Sequence, residues 1–219
     1  MSDEPVRKSD ENREVPPPKD PGDLYVLGGM YFQGLTVPVD KEKAGVLYRM
    51  SADKGNEDAM VRLGIMLTTG DGIEQDYLEA SKYFRMAADR GNNDAKYFLA
   101  NLYSRGKGVD RNPVEAVKLC LESAANGCTG AMVEIARWYR DGTNYLDRDL
   151  AKCMYWLRKA CDEKYAEALY EMGAMYAFGE GVTKDEENSR ILLEYAAKYG
   201  DEDAEECLKA LDEGRTERP

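Results

Sequence analysis

Residues 99–109 read LANLYSRGKGV, and a similar pattern returns at residues 172–185 as MGAMYAFGEGVTKD. In both stretches, apolar residues at helical spacing lead into two glycines that lie two positions apart. Glycine adopts positive φ at little steric cost, so such a pair ends one helix and lets the chain fold back into the next. The pattern therefore predicts a helix, a tight turn and a second helix.

This pattern belongs to an internal repeat of nearly 36 residues. A glycine occurs eleven positions into each copy, and a pair of small residues such as Ala87-Ala88 lies near its end. The five copies are residues 23–58, 59–94, 95–130, 131–167 and 168–203. The fourth copy is one residue longer, and its turn sequence TNYLD lacks the second glycine. Residues 204–211 repeat the start of a sixth unit, which predicts a capping helix.

We expect an all-α fold, because no stretch of useful length alternates apolar and polar residues with a period of two. The first half of each copy carries apolar residues at helical spacing beside a small residue, as with Leu63 and Leu67 beside Gly64. A glycine inside a helix costs about 1 kcal/mol relative to alanine, so Gly64 and Gly173 indicate that a neighbouring backbone packs closely there. One helix pair cannot bury its apolar side alone, and stacking five pairs solves this problem.

Five strings in register resemble the Sel-one-like repeat (SLR) family, a relative of the tetratricopeptide helical repeats. They are LGGMYFQG at 27–34, KYFRMAADRG at 82–91, LANLYSRGKGV at 99–109, YWLRKACDEKYAEA at 155–168 and MGAMYAFGEGVTKD at 172–185. The resemblance covers residues 23–211. It implies a right-handed α-solenoid of five antiparallel helix pairs whose members serve mostly as adaptors, with a concave groove lined by the first helices.

Composition excludes several kinds of chemistry. The chain has 219 residues, a formal charge of −12 and no His, so it cannot build a Ser/His/Asp triad, a Cys/His dyad or an imidazole metal site. The acidic balance argues against a nucleic-acid partner. No stretch approaches the 18 or so consecutive apolar residues of a membrane span. We therefore expect no cofactor, no metal ion, no nucleic acid and no membrane.

The cysteines and the chain ends give further expectations. Five cysteines, an odd number without a C-x-x-C motif, predict buried or half-buried thiols in a reducing cytoplasm. Residues 1–22 hold five of the eight prolines, ten charged residues and no aromatic residue, which predicts a disordered polar tail and no signal peptide. Residues 212–219 are polar and are expected to fray.

The groove residues follow from helix geometry, because positions two to three away from the core-facing ones point to the other side of each first helix. The candidate partner-binding residues are Tyr25, Phe32, Tyr97, Asn101, Arg105, Arg137, Arg140, Tyr170 and Phe178. Of the tyrosines, we expect Tyr25, Tyr97 and Tyr170 to be the more exposed. Core packing is expected for Tyr31, Tyr103, Tyr139 and Tyr176.

Asn101 and the three arginines of this set would place a basic patch in the middle of the groove, flanked by aromatic residues. On one reading, the patch binds a carboxylate or an acidic peptide, with the guanidinium groups giving bidentate hydrogen bonds and the aromatic rings acting as anchors. On the other, the arginines pair with Glu134, Glu171 or Asp141 and only keep the groove soluble. The sequence leaves both readings open.

The sequence thus predicts a non-enzymatic cytoplasmic adaptor that holds a protein or peptide in its concave groove. The alternative is a small-molecule-binding protein or a carboxylate-dependent hydrolase that uses the same groove, since any fold with 42 carboxylates brings some of them together. We expect a monomer or a weak homodimer, with self-association through the last helix or through the apolar side of the first repeat.

Overall fold

A computed structural model describes residues 18–215, which form eleven α-helices and no strand within that range. The helices are α1 (Pro21–Gln33), α2 (Lys41–Asp53), α3 (Glu57–Thr69), α4 (Tyr77–Ala88), α5 (Asn93–Arg105), α6 (Pro113–Ala125), α7 (Thr129–Asp141), α8 (Leu150–Asp162), α9 (Ala166–Phe178), α10 (Glu186–Lys198) and α11 (Asp203–Asp212). Each helix packs against the next one along the chain. The chain is an α-solenoid of five helix pairs followed by a single helix, as predicted. No helix in the described range is long and apolar enough to cross a membrane.

The first helix of every pair ends at a glycine in the left-handed conformation, as the repeat predicts. The five glycines are Gly34, Gly70, Gly106, Gly142 and Gly179, and their φ angles lie between 65° and 76°. The N–H of each glycine donates to the carbonyl four residues earlier, as that of Gly106 does to Leu102. This bond satisfies a carbonyl that the end of the helix would otherwise leave without a partner.

The turn of the fourth repeat reaches the same reversal without a second glycine. Asn144 and Tyr145 take positive φ angles of 54° and 62°. The side chain of Asn144 is buried, and its Oδ1 accepts a 3.3 Å hydrogen bond from Oγ of Ser104 on α5. Tyr145 is 82% exposed, so its backbone conformation is not offset by packing of its own ring. An asparagine tolerates the left-handed region better than a tyrosine does.

The second helices begin after a residue that caps them. These residues are Asp40, Asp76, Asn112, Asp149 and Asp185, and each side chain accepts a hydrogen bond from the backbone N–H three positions later. Such a cap satisfies one of the donors that the first turn of a helix leaves open. The bonds from the backbone N–H groups of Lys152 and Asn188 lower the pKa of Asp149 and Asp185 below the usual value.

The glycines inside the first helices allow close packing within a pair. A Cβ atom placed on Gly64 would lie 2.5 Å from Cε1 of Phe84, and one on Gly173 would lie 2.9 Å from Cγ of Leu193. The sequence predicted a close approach at these positions, but the approaching group is a side chain of the second helix rather than a backbone. Phe84 and Leu193 are fully buried as a result.

The two ends of the solenoid differ. At the C-terminal end, α11 stacks on the last pair, where Cys207 and Leu211 join a buried cluster that contains Tyr170 and Ala174 of α9. At the other end, no preceding helix in the described range covers α1, and Val26 is 59% exposed there. The single helix α11 thus closes the core, as predicted for residues 204–211.

The helix bounds correct the predicted tails. Helix α1 begins at Pro21, and the Asp20 carboxylate accepts a 2.8 Å bond from the N–H of Gly22. Residues 21 and 22 are therefore helical, although they were predicted to belong to the disordered segment, because proline suits the first turn and aspartate caps it. At the other end, Asp212 still belongs to α11. The rest of the predicted tails, residues 1–17 and 216–219, lies outside the described residues.

Candidate interaction surface

Residues at the same side of the first helices line a pocket, which we call the aromatic pocket. Its volume is about 580 Å³. The lining residues are Tyr25, Asp58, Val61, Arg62, Ile65, Asp94, Tyr97, Phe98, Cys128, Thr129, Gly130 and Tyr165. They come from α1, α3, α5, the start of α7 and the residue before α9, so the pocket runs along the stack and not within one repeat.

The aromatic rings of this pocket are held by packing. The ring of Phe98 stacks on that of Phe84 with centroids 5.2 Å apart, and Tyr97 lies against Phe98 at 5.0 Å. Tyr25 packs on Tyr48 at 5.7 Å. Rings fixed in this way lose little conformational freedom when a ligand binds, which favours affinity.

Burial raises the pKa of two tyrosines that line the pocket, Tyr97 and Tyr165. It raises the pKa of Tyr165 to about 12, and the negative charge of Glu167 adds to the increase. Burial also raises the pKa of Tyr97 strongly, with Glu134 and Glu167 acting in the same direction. Both phenols are protonated at neutral pH, as an ordinary tyrosine is, and the rise in pKa extends this state further into the alkaline range.

Two carboxylates lie at the rim of the aromatic pocket. Asp58 and Asp94 occupy the second position of α3 and of α5, so the repeat places them on the same side of adjacent helices. The Asp94 Oδ1 atom accepts a bond from Sγ of Cys128 at 3.4 Å. Arg62 contributes a cation to this lining. Burial raises the pKa of the neighbouring Tyr48, and the positive charge of Arg62 reduces that rise.

A smaller pocket of about 230 Å³, which we call the basic pocket, lies next to the aromatic one. Its lining consists of Thr68, Tyr77, Phe84, Phe98, Asn101, Leu102, Arg105 and Lys107, so Phe98 borders both pockets. Lys107 Nζ donates to the hydroxyl of Tyr77 at 3.2 Å. Within the described residues, Asn101 Oδ1 is the one buried side-chain oxygen or nitrogen without a hydrogen bond.

The arginines of α7 are bound to carboxylates, as one of the two readings of the sequence predicted. Arg137 Nε donates to Glu171 Oε1 at 2.7 Å, and its Nη1 lies 2.8 Å from Glu167. Arg140 Nη1 donates to Glu171 Oε2 at 2.7 Å, and its Nε to Asp141 at 2.8 Å. Glu171 is only 3% exposed, so these ion pairs fix α9 against α7. The sequence named Glu134, Glu171 and Asp141 as partners; Glu171 and Asp141 are confirmed, and Glu167 takes the place of Glu134.

The structure separates the nine predicted site residues. Tyr25 and Tyr97 line the aromatic pocket, and Asn101 and Arg105 line the basic pocket. Arg137 and Arg140 are in the ion pairs with α9. Phe32 packs on the core beside Lys41, whose Nζ lies 5.2 Å from the ring centroid.

The remaining two positions correct the sequence analysis. Tyr170 was expected to be exposed, but it is 8% exposed and buried in the cluster that α11 completes. Phe178 packs against the same cluster. The reason is that α11 stacks on α9 as a sixth first helix, so the face of α9 that would line a groove is covered.

Sequence reasoning missed several residues of the aromatic pocket, chiefly Asp58, Asp94, Phe98 and Tyr165. A signal for the two carboxylates was present, because they are 36 positions apart and thus occupy one repeat position. Tyr25 and Tyr97, which were expected to be more exposed, are half-buried and pack on the core clusters. So do the four tyrosines for which core packing was predicted. They are Tyr31, Tyr103, Tyr139 and Tyr176. No group of three or more Cys, Asp or Glu residues that could hold a metal ion occurs between residues 18 and 215.

The sequence model of the Sel1 repeat matches the chain five times, at residues 23–56, 57–92, 93–128, 129–165 and 166–201. The chain belongs to the Sel1 repeat family. The second to fifth Sel1 repeats each start two residues before the copies that we predicted. Each of these starts is also the first residue of α3, α5, α7 or α9. Members of the Sel1 repeat family are generally protein-interaction scaffolds.

Solved structures resemble this Sel1 repeat chain along most of its length. The Escherichia coli protein c5321, described as a protective antigen of uropathogenic strains with an SLR fold, is 31% identical, with a TM-score of 0.68. The match covers 89% of this chain and 42% of c5321, so this chain spans less than half of that relative. A Sel1 repeat protein from Oxalobacter formigenes is 28% identical, with a TM-score of 0.77 and coverage of 90% and 81%.

More distant structures share the fold alone. The immunity protein Pa5087 from Pseudomonas aeruginosa is 18% identical, with a TM-score of 0.65, and the match covers 89% of this chain and 72% of that one. None of the curated protein sequences matches this Sel1 repeat chain.

Proposed function

We propose that this chain is a non-enzymatic adaptor that binds an extended peptide or a partner domain on the inner face of its first four repeats. The observation that carries the proposal is the aromatic pocket, because successive repeats contribute rings and aliphatic side chains to one continuous surface. A partner segment that runs across several repeats would contact the side chains of each repeat in order. A few residues near the centre of a protein interface dominate its binding energy, and tyrosine is enriched among them.

The proposed location of binding differs from the one that the sequence suggested. The arginines of α7 are engaged with Glu171, and α11 covers the corresponding face of α9. The proposed binding surface is therefore the aromatic pocket, which α1, α3, α5, the start of α7 and Tyr165 form. The proposed compartment is the reducing cytoplasm, which the five cysteines without a C-x-x-C motif support.

Site-specific photo-crosslinking in the source cell tests the proposal. A benzophenone side chain is placed at Thr129, in the aromatic pocket, and in a control variant at Val114, which is 68% exposed on α6. The adaptor proposal expects one or a few discrete cross-linked proteins from position 129 and none of them from position 114. Circular dichroism checks that both variants keep the helical fold. The same cross-linked bands from both positions, or bands from neither, would contradict the proposal.

A further inference from the structure

We infer that the aromatic pocket recognises a cationic side chain, lysine or arginine, on the segment that it binds. The inference rests on the proposed function, since it assigns the chemistry of the partner at the proposed surface. It replaces the expectation of an acidic partner at the arginines of α7, which the structure shows in ion pairs with Glu171.

The first argument is the aromatic lining. Tyr25, Tyr97, Phe98 and Tyr165 border one pocket of about 580 Å³, which is large enough for a long side chain. The face of an aromatic ring carries partial negative charge, so it attracts an ammonium or guanidinium group and also packs against the methylene groups that carry it. The chain already uses this contact elsewhere, with Lys107 Nζ 4.8 Å from the ring centroid of Tyr77.

The second argument is the charge at the rim. Asp58 and Asp94 lie on adjacent helices at the same repeat position, and both carboxylates are at the exposed edge of the pocket. Within the described residues, the lining contains these two carboxylates and one cation, Arg62. Glu134 extends the negative field on the α7 side, where its charge adds to the rise that burial causes in the pKa of Tyr97. A partner cation would therefore meet rings inside the pocket and carboxylates at its edge.

The third argument is the contrast with the neighbouring basic pocket. That pocket is lined by Arg105 and Lys107 and by no carboxylate among the described residues. Phe98 lines both pockets, so an extended segment that runs over this residue would pass from an acidic to a basic environment. Such opposite charges on either side of one contact fix the register of a bound segment and reject segments of the wrong charge.

The experiment selects peptides and then tests their charge. The full chain is panned against a phage library of random peptides of about 12 residues at physiological ionic strength, and the selected peptides are synthesised. We expect lysine or arginine to be enriched at one position, next to apolar residues. Replacing that residue by glutamine should weaken binding about tenfold.

Matched variants place the effect in the pocket. Asp58→Asn/Asp94→Asn should weaken the selected peptides about tenfold and abolish their preference for a cation. Asp110→Asn/Asp147→Asn changes the net charge equally, at turn residues that do not line the aromatic pocket, and should leave binding within about twofold. Circular dichroism and thermal unfolding check that each variant is folded.

A third variant separates failure of the inference from failure of the proposed function. A Cβ atom on Gly130 would already lie 3.2 Å from the ring of Tyr97, so Gly130→Leu fills the aromatic pocket. Suppose that Gly130→Leu abolishes binding, whereas Asp58→Asn/Asp94→Asn and the replacement of the peptide's cation by glutamine leave it unchanged. The surface is then right and the inferred cation is wrong. Selection of Asp or Glu in place of a cation would also overturn the inference. If no peptide is selected, or if filling the pocket has no effect, both the inference and the proposed surface fail.

Discussion

Arg137 on α7 donates from Nε to Glu171 on α9 across 2.7 Å, and this bond joins two first helices that belong to different repeats. Glu171 is nearly fully buried, and Arg140 holds its second oxygen. A carboxylate buried in this way requires its positive partners, because burying an unpaired charge is strongly destabilising. The contact therefore belongs to the stability of the stack.

Removing the charge of Glu171 should destabilise the last two repeats. Glu171→Gln removes the negative charge that Arg137 and Arg140 share, and both guanidinium groups stay half-buried. We expect the free energy of unfolding to fall by about 3 kcal/mol. Urea denaturation followed by circular dichroism measures the loss. Glu163→Gln, at an exposed residue after α8, is the control and should cost less than about 0.5 kcal/mol. Equal effects of the two substitutions would show that the ion pairs add nothing to stability.

The glycine inside α3 should be required for packing, in contrast to one in α1. Gly64→Ala places a methyl group 2.5 Å from the buried ring of Phe84, and we expect a loss of about 1–3 kcal/mol despite the higher helix propensity of alanine. Gly29→Ala is the matched control, because the nearest atom to its Cβ would be Tyr48 Oη at 3.6 Å. That substitution should stabilise the chain by up to about 1 kcal/mol. Thermal unfolding of both variants decides, and a stabilising Gly64→Ala would contradict the packing argument.

The two aspartates that cap α8 and α10 should make stability fall in acid. Their pKa is lower in the folded chain than the ordinary value of 3.8, so they contribute stability when ionised and lose it as the pH falls through and below that value. Asn also caps helices but does not titrate. The variant Asp149→Asn/Asp185→Asn should therefore lose less stability than the wild type between pH 5 and pH 3.

Urea unfolding at several pH values measures this difference. Asp147→Asn, at an exposed residue of the fourth turn, serves as the control and should follow the wild-type pH dependence. A double variant whose stability falls with pH as steeply as that of the wild type would contradict the assignment of the pH effect to the caps.

The turn of the fourth repeat should be improved by glycine at Tyr145. This residue has a φ of 62° and an exposed ring, so Tyr145→Gly removes the left-handed strain without removing buried contacts, and we expect a gain of about 1 kcal/mol. Asn144→Gly relieves a similar φ but loses the bond from Ser104, so its gain should be smaller or absent. Differential scanning calorimetry compares the two. The prediction is wrong if Tyr145→Gly lowers the melting temperature.

Local signals account for what the sequence predicted well. The glycines at the ends of the first helices act within a few residues of their own positions. The five-fold repetition of these signals fixed the number of helix pairs, and the longer fourth turn was visible as an insertion. Pro21 shows the limit, because a proline-rich composition predicts disorder although this proline and the preceding aspartate start a helix.

The sequence by itself thus determined the repeat, the helices, the turns and the family. The tertiary structure alone decided which part of the inner face is open. Arg137 meets Glu171 34 positions later, and α11 covers Tyr170, because stacking brings side chains from different repeats together. Helical periodicity states on which side of its own helix a residue lies, but not which charge or ring from the next repeat will stand opposite it. That opposite group decides whether an arginine is bound within the chain or a pocket accepts a partner.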